Sequence, residues 1–301
     1  MLHPGARIAV VAPAGPFHPE RLASGMATLQ HWGYVPVPMA NLQATHRYLA
    51  GTTEQRHADL RHALTAPDLD AVWFARGGYG TFAALQNLPW DLVQARPVLG
   101  FSDATALLIA LQQRGLPAIH APVLQGLADP VQWTTPGAVL IDSQSRDALR
   151  LALQSGSWPS LPGRQVAGPA ADLSQGRHRG PVTGGNLAVL ASLCGTPEQL
   201  DAHGKIVVLE ELNEPPYRLD RLLSQLRLSG ALDGCVGICF GDLQDCEPKD
   251  GAFSALDVAG EVLEPLGIPI LAGLPVGHGS RNFAFPLGKT AELTATGLRW
   301  C

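Results

Sequence analysis

The fold is decided by residues 96–112, RPVLGFSDATALLIALQ. The apolar run Arg96–Leu99 predicts a buried strand, and the run Ala106–Gln112 predicts a helix. Ser102 stands at a tight turn between them, which would lift its hydroxyl out of the sheet edge and direct helical N–H groups at whatever it attacks. The positive end of the helix would favour a developing oxyanion there. Simple capping of the helix by Ser102 or Asp103 explains the same residues without catalysis.

The composition predicts a globular protein of one or two domains. Of the 301 residues, 46% are hydrophobic and 16% are charged, which is not the balance of a disordered chain. The net charge is −5 and there is no dense block of Lys or Arg, so a nucleic acid or an anionic membrane is disfavoured as a partner. No apolar run is long enough for a bilayer span, and the first residues lack the features of a signal peptide. We therefore expect a cytoplasmic protein.

The cysteines point to buried thiols and not to a metal site. They are Cys194, Cys235, Cys239, Cys246 and Cys301, and none of them forms a C-x-x-C pair. Cys235 and Cys239 lie in the apolar run GCVGICFG at 234–241, which favours a buried strand over zinc ligands. We expect neither a metal ion nor a cofactor.

In the first half of the chain, strand patterns alternate with helix patterns. Besides residues 96–112, strands are predicted at 8–12, from 35, at 70–75 and at 118–123, and helices at 19–32 and from Thr52 or Thr53 to Leu64. This alternation predicts an α/β fold with a doubly wound, mostly parallel sheet. Ligands bind such sheets beyond the carboxyl ends of the strands.

The alternation is lost between about residues 154 and 180. Residues 155–163, SGSWPSLPG, are typical of a linker, and residues 174–180 are polar. We predict an N-terminal nucleophile domain at 1–155, a linker at 156–180 and a C-terminal domain at 181–301. In the last domain, strands are predicted at 205–211, 235–240, 268–271 and, as a closing pair, within 292–300, and helices at 187–194, 217–228 and 254–263. This pattern predicts a C-terminal α/β domain with a mixed sheet.

A glycine-rich turn, Arg76-Gly77-Gly78-Tyr79-Gly80-Thr81, follows the strand at 70–75. Glycines let the backbone approach a ligand and aim N–H groups at an anion. A tight turn, a phosphate cradle and an oxyanion hole are all compatible with this stretch. Because it and the Ser102 turn follow successive strands, they can flank one crevice, which favours the oxyanion hole.

A nucleophilic serine needs a base, and the base benefits from an orienting carboxylate. His278 lies in a glycine-rich loop after a strand, whereas His120, near the end of a strand, is better explained as a structural residue. Glu210 and Glu211 end another strand on opposite sides of it, so only one of them can face His278. Spacing alone does not choose between them.

Seven short motifs, in order along nearly the whole chain, carry a family resemblance. They are VAP at 11–13, RGGYG at 76–80, GFSD at 100–103, GGNL at 184–187, LEE at 209–211, EPPYRLDR at 214–221, and GH at 277–278 with Asn282. The set resembles the LD-carboxypeptidases of peptidase family S66, which include muramoyltetrapeptide carboxypeptidases and microcin C self-immunity peptidases. The resemblance implies a Ser-Glu-His triad formed by Ser102, Glu210 and His278, with the carboxylate at Glu210 and not Glu211.

The resemblance also implies a reaction and a substrate. The enzyme would be a serine carboxypeptidase that releases terminal D-alanine from a murein tetrapeptide, in cytoplasmic peptidoglycan recycling, and it would form a homodimer. The backbone N–H groups of Gly78 and Asp103 are candidates for the oxyanion hole. Arg76 and Arg281 are candidates for binding the terminal carboxylate. Further substrate-binding candidates are Tyr79, His120 and Asn282.

Three other functions stay open at this point, one of which is non-catalytic binding of peptidoglycan. Within the same family, the enzyme could hydrolyse an aminoacyl-nucleotide amide, with Trp158 or Tyr79 stacking on the base. In a different class, the Gly77–Thr81 loop could serve nucleotide binding or phosphotransfer, although Ser102 and His278 would then have no role.

Overall fold

The chain folds as two compact units, Met1–Ser157 and Trp158–Cys301. The computed structural model describes residues 1–129, 140–168, 173 and 178–301. Of the polar part of the predicted linker, residues 174–177 lie outside the described residues, as do residues 169–172. The predicted domain limits at 155, 156–180 and 181 stay a prediction.

The first unit is built on a parallel sheet. Its strands are β1 (Arg7–Val11), β2 (Val35–Pro38), β3 (Ala71–Phe74), β4 (Val98–Gly100) and β5 (Ala118–His120), and its helices are α1 (Pro19–His31), α2 (Thr53–Thr65), α3 (Thr81–Ala84), α4 (Thr105–Gln113) and α5 (Ser143–Ser155). The strands lie in the order β5-β4-β3-β1-β2, and each is parallel to its neighbours. This order reverses between β1 and β3, and sheets of this kind bind ligands where the order reverses, beyond the carboxyl ends of the strands.

Local sequence signals set the helix ends of the first unit. Pro19 opens α1, where its missing N–H costs nothing. At α2, the Thr52 hydroxyl accepts a bond from the Gln55 N–H while the Gln55 side chain accepts one from the Thr52 N–H, which is a complete capping box. The strand β3, between α2 and α3, is apolar because it is covered: all four of its residues are buried.

The second unit contains a mixed sheet. Its strands are β6 (Leu161–Pro162), β7 (Arg164–Ala167), β8 (Arg179–Asn186), β9 (Ile206–Leu212), β10 (Gly237–Gln244), β11 (Ile270–Ala272), β12 (Phe285–Pro286), β13 (Thr290–Thr294) and β14 (Gly297–Trp300), and its helices are α6 (Leu187–Ser192), α7 (Pro216–Leu228) and α8 (Ala255–Leu263). All of these strands except β12 form one sheet, in the order β6-β14-β13-β8-β9-β10-β11-β7. From β8 to β11 neighbouring strands are parallel, and the strands outside them pair antiparallel. The predicted fold class is confirmed in both units.

Two parts of the second sheet have no counterpart in the predicted elements. The strands β6 and β7 lie within the stretch predicted as a linker, and they form the two edges of the sheet. Edge strands tolerate proline and polar residues, so their sequences resemble loops. The strand β8 was not predicted because it is rich in glycine, which is uncommon in strands. Glycine is needed at position 184 because a Cβ there would lie 2.0 Å from the Val208 carbonyl oxygen of the neighbouring strand. In the part of the chain that the structure describes, no helix has the length and apolar character required to cross a bilayer.

Candidate active site

Ser102 occupies the turn between β4 and α4 with a left-handed backbone, at φ +60°. A short 3-10 turn, Ser102–Ala104, leads from it into α4. The left-handed conformation costs an L residue other than glycine about 1–2 kcal/mol. Such strain persists only where the surroundings enforce it, and it concentrates at functional sites. A strained serine between a strand and a helix is the local geometry of a nucleophile elbow.

The loop after β3 packs directly against this turn. A Cβ on Gly77 would lie 2.9 Å from the Ser102 Cβ and 3.0 Å from its Oγ, so position 77 has no room for a side chain. Behind the loop, the Gly15 N–H donates to the Gly77 carbonyl oxygen at 3.1 Å. Gly78 has φ +112°, a conformation that L side chains rarely adopt. The residues that follow β1, β3 and β4 therefore meet at the Ser102 turn.

A buried arginine ties these loops together. The Arg56 Nη1 donates to the carbonyl oxygens of Pro13 and Gly80, each at 2.6 Å, and its Nε donates to the Gly51 carbonyl oxygen at 3.3 Å. Five N–H donors in a rigid fork suit a residue that must join several backbone segments. Sequence reasoning missed Arg56, because its contacts are distant along the chain and belong to no motif.

The Asp103 carboxylate anchors the end of the glycine-rich loop. Its Oδ2 accepts the Thr81 N–H, at the start of α3, at 2.8 Å. Burial raises the pKa of Asp103, while the bonds from Thr81 and the charge of Arg56 act in the opposite direction. The carboxylate thus accepts the hydrogen bond of a loop N–H that a phosphate would need, and its negative charge lies where a phosphate would bind. This arrangement disfavours the phosphate cradle that the loop sequence allowed.

The other candidates of the first unit differ in exposure. The Tyr79 side chain is 65% exposed, and its ring lies 6.1 Å from that of Tyr48. Arg76 is exposed as well, and its Nη1 donates to the Pro16 carbonyl oxygen. His120 is fully buried at the end of β5, with its ring edge-on to Phe101 at 5.7 Å. The burial of His120 fits the structural role expected for it.

In the second unit, the structure brings Glu210 and His278 together. The Glu210 Oε2 and the His278 Nδ1 are 2.6 Å apart, with Glu210 fully buried near the end of β9 and His278 in the loop after β11. Pairing with the carboxylate assigns the ring proton to Nδ1, which makes Nε2 the basic nitrogen. Burial alone would lower the pKa of His278, but the charges of Glu210, Glu211 and Asp242 and the bond from Glu210 outweigh it, so the pKa is raised.

Glu211 points to the other side of β9 and holds a helix. Its Oε1 accepts from the Asn186 side chain at 3.1 Å and from its neighbour Leu212 N–H at 2.8 Å, and its Oε2 accepts from the Ala188 N–H at 2.7 Å. Asn186 and Ala188 form the start of α6, so the carboxylate caps that helix. Burial raises the pKa of Glu211. The structure therefore places Glu210, and not Glu211, against the imidazole.

The remaining candidates flank His278. Asn282 is buried, and its Oδ1 accepts a bond from the Gly277 N–H at 3.3 Å; Arg281 is exposed. Asp242 was missed by the sequence analysis, although its Oδ2 accepts the Gly279 N–H at 3.0 Å. The available signal was a carboxylate just after the apolar run 235–240, at the carboxyl end of a parallel strand.

Comparison with known proteins gives a consistent result over both units. The family model for the LD-carboxypeptidase N-terminal domain matches residues 8–121, and that for the LD-carboxypeptidase C-terminal domain matches residues 179–293. The chain is 39% identical to the murein tetrapeptide carboxypeptidase of Pseudomonas aeruginosa, over 98% of this chain and 95% of the relative. It is 27% identical to the microcin C7 self-immunity protein of Escherichia coli, over 92% of this chain and 86% of that protein.

A solved structure is similar as well. The crystal structure of muramoyltetrapeptide carboxypeptidase from Oxalobacter formigenes superposes with a TM-score of 0.78 at 27% identity, covering 97% of each chain. The similarity therefore extends over nearly the full length of both proteins.

Proposed function

The chain belongs to the LD-carboxypeptidase family, peptidase family S66, and we propose that it releases the terminal D-alanine from a murein tetrapeptide by cleaving an L,D-peptide bond. The observation that carries this proposal is the 2.6 Å pair of Glu210 and His278, a buried carboxylate holding an imidazole. A base of this kind activates a serine hydroxyl, and Ser102 stands in the strained turn expected of such a nucleophile. The relative that acts on murein tetrapeptide supports the choice of substrate.

In the proposed mechanism, the His278 Nε2 takes the proton of Ser102 while the hydroxyl oxygen attacks the scissile carbonyl. Glu210 holds the imidazole tautomer and stabilises the imidazolium. The N–H groups of Gly78 and Asp103 donate to the oxyanion, and the loss of one such donor raises the barrier by about 2.7–4 kcal/mol. His278 then protonates the leaving D-alanine amine, and water hydrolyses the acyl-enzyme.

Recognition of the substrate is proposed to involve the exposed candidates. Guanidinium groups bind carboxylates through paired N–H donors, so Arg76 and Arg281 are assigned to the free terminal carboxylate. Tyr79 presents an exposed ring to the peptide. His120 and Asn282 are buried, so we assign them to supporting the site and not to direct contact.

We also propose that the enzyme works in the cytoplasm, as a homodimer. All five cysteines lie within the described residues and all are free thiols, as is usual in a reducing compartment. Burial raises the pKa of Cys235 and of Cys246 to about 11, which keeps both thiols unreactive. The dimer is suggested by the family resemblance, and light scattering on the purified protein tests it by returning twice the 31.8 kDa chain mass.

The activity is tested by measuring D-alanine released from a murein tetrapeptide, with the matched peptide that ends in L-alanine as substrate control. Ser102→Ala should lower kcat by about 10⁶-fold, as removal of a nucleophilic serine does. Ser160→Ala, at an exposed serine, should leave kcat unchanged. Release of D-alanine by Ser102→Ala at the wild-type rate, or none by the wild type, would refute the proposal.

The same preparation should be assayed on an aminoacyl-nucleotide amide, because a 27% identical relative is a microcin C7 self-immunity protein. We expect the higher kcat/KM for the tetrapeptide. A higher value for the nucleotide substrate would assign the enzyme to the other branch of the family.

A further inference from the structure

The strand β10 has a bulge opposite Glu210. Phe240 pairs with Leu209 and Leu243 pairs with Glu211, so Gly241 and Asp242 together face the single residue Glu210 on β9. A bulge of this kind bends a strand and re-aims its side chains, and such bulges are frequent beside active sites.

The bulge is hydrogen-bonded to the turn that carries His278, both before the histidine and after it. The Asp242 N–H donates to the Val276 carbonyl oxygen at 2.7 Å, two residues before His278. The Asp242 Oδ2 accepts the Gly279 N–H at 3.0 Å, one residue after His278. One residue therefore fixes the main chain of the turn through its own main chain and through its carboxylate.

The fit between bulge and turn is tight. A Cβ on Gly241 would lie 2.3 Å from the Val276 carbonyl oxygen, and a Cβ on Gly279 would lie 2.3 Å from the Asp242 Oδ2. A Cβ on Gly277 would lie 3.1 Å from the Cβ atoms of both Asp242 and Glu210. Glycine at these three positions lets the bulge and the turn approach, and this approach brings Asp242 beside the Glu210–His278 pair.

We propose that Asp242 is a positioning residue for His278, because it clamps the turn from both sides and adds a second carboxylate charge beside the imidazole. The proposal rests on the proposed role of His278 as the base. Glu210 and Glu211 from β9 and Asp242 from β10 each act on the imidazole through their negative charge. Asp242 is partly buried, and burial raises its own pKa, whereas the Gly279 N–H and the charge of His278 oppose that rise.

Two substitutions separate the charge from the hydrogen bond. Asp242→Asn keeps an acceptor oxygen for Gly279 and the main-chain bond but removes the charge. Asp242→Ala removes the acceptor and the charge together. The matched control is Asp245→Asn, which removes an exposed carboxylate just beyond the same strand at a left-handed position that asparagine tolerates.

The first readout is the titration of the His278 ring, followed by NMR and assigned with His278→Gln. Loss of a nearby negative charge disfavours the imidazolium, so the pKa of His278 should be lower in Asp242→Asn than in the wild type and unchanged in Asp245→Asn. An unmoved titration in Asp242→Asn, or an equal shift in Asp245→Asn, would overturn the proposal. This readout needs no substrate, so it stands apart from the proposed reaction.

The second readout is kinetic. In Asp242→Asn the acid limb of kcat/KM should move to lower pH with the ring titration, while kcat at the plateau falls less than in Asp242→Ala. In Asp242→Ala, kcat should fall by up to about 100-fold, the loss that a misplacement of 1 Å can cause, with KM little changed. Equal plateau kcat values for the two variants would overturn the clamping role. Wild-type release of D-alanine by His278→Gln would instead refute the proposed base.

Discussion

Ser102 and His278 follow the buried strands β4 and β11, but the two turns hold their side chains in different ways. In the Ser102 turn, the functional residue itself has the left-handed backbone, and Gly77 leaves only enough space for it. In the His278 turn, the left-handed residue is the neighbouring Gly277, and the imidazole is held by a bond that its Nδ1–H donates to Glu210. The proposed nucleophile is thus positioned by backbone shape and the imidazole by charged side chains. Activity should therefore be sensitive to side-chain volume in the Ser102 turn and to side-chain charge in the His278 turn.

The strongest test of this difference is to remove charge from the second turn. Glu210→Gln keeps the shape of the side chain but loses the group that sets the tautomer, and kcat should fall by about 10⁴-fold, as an equivalent change does in a serine protease triad. Because Glu210 raises the pKa of His278, the acid limb of the residual kcat/KM should move to lower pH. A pH-rate profile of D-alanine release measures both effects.

The control for this variant is Glu211→Gln, one residue along the same strand. Glu211 accepts bonds at the start of α6, so its loss should cost about 1–3 kcal/mol of unfolding free energy, while most of the activity is kept. If Glu211→Gln lost as much activity as Glu210→Gln, the assignment of the carboxylate would be wrong.

The next largest effect is expected from added side-chain volume in the Ser102 turn. Gly77→Ala adds a methyl group 2.9 Å from the Ser102 Cβ, which forces Ser102 to move, so kcat should fall by about 100-fold. Gly126→Ala is the matched control, since a Cβ there meets nothing within 4 Å. Neither glycine has a left-handed backbone, so Gly126→Ala should unfold near the wild-type temperature, while the clash in Gly77→Ala should cost about 1–3 kcal/mol of stability. Equal kcat values in the two variants would show that the Ser102 turn tolerates added volume.

The smallest expected effect is the gain in stability from relieving the backbone strain at Ser102. Ser102→Ala and Ser102→Gly both lack the hydroxyl, but only glycine relieves the left-handed conformation. After the greater backbone entropy of glycine is subtracted, Ser102→Gly should be more stable by about 0.5–1 kcal/mol. Denaturant unfolding of the two variants gives this difference directly. A less stable glycine variant would mean that the serine backbone is not strained.

Local sequence patterns were enough to predict much of this structure. Contacts between segments that are distant along the chain could not be predicted from such patterns. The strand, turn and helix around Ser102 follow from neighbouring residues, as does the capping box at Thr52. Alternation along β9 showed that Glu210 and Glu211 face opposite sides, but which side meets His278 depends on a contact 68 residues away. That choice came from the family resemblance.

The features that sequence reasoning missed share a cause. The strands β6 and β7 are recognisable only by the neighbours they pair with at the sheet edges. Arg56 joins backbone carbonyls from three loops, and no spacing rule links them. Asp242 owes its position to a bulge, which is a mismatch between two strands and leaves no periodic mark on either one.

That mismatch has a consequence for how the chain can change in length. Between Phe240 and Leu243, β10 has one residue more than its partner strand. Loss of one of the two intervening residues would restore one-to-one pairing, and the strand would then lose the bend and the re-aimed Asp242 side chain that the bulge provides. A substitution here changes one contact, whereas a single-residue deletion would remove the bulge and with it both of the contacts that hold the His278 turn. Among relatives, the number of residues in this segment should therefore vary less than their identity.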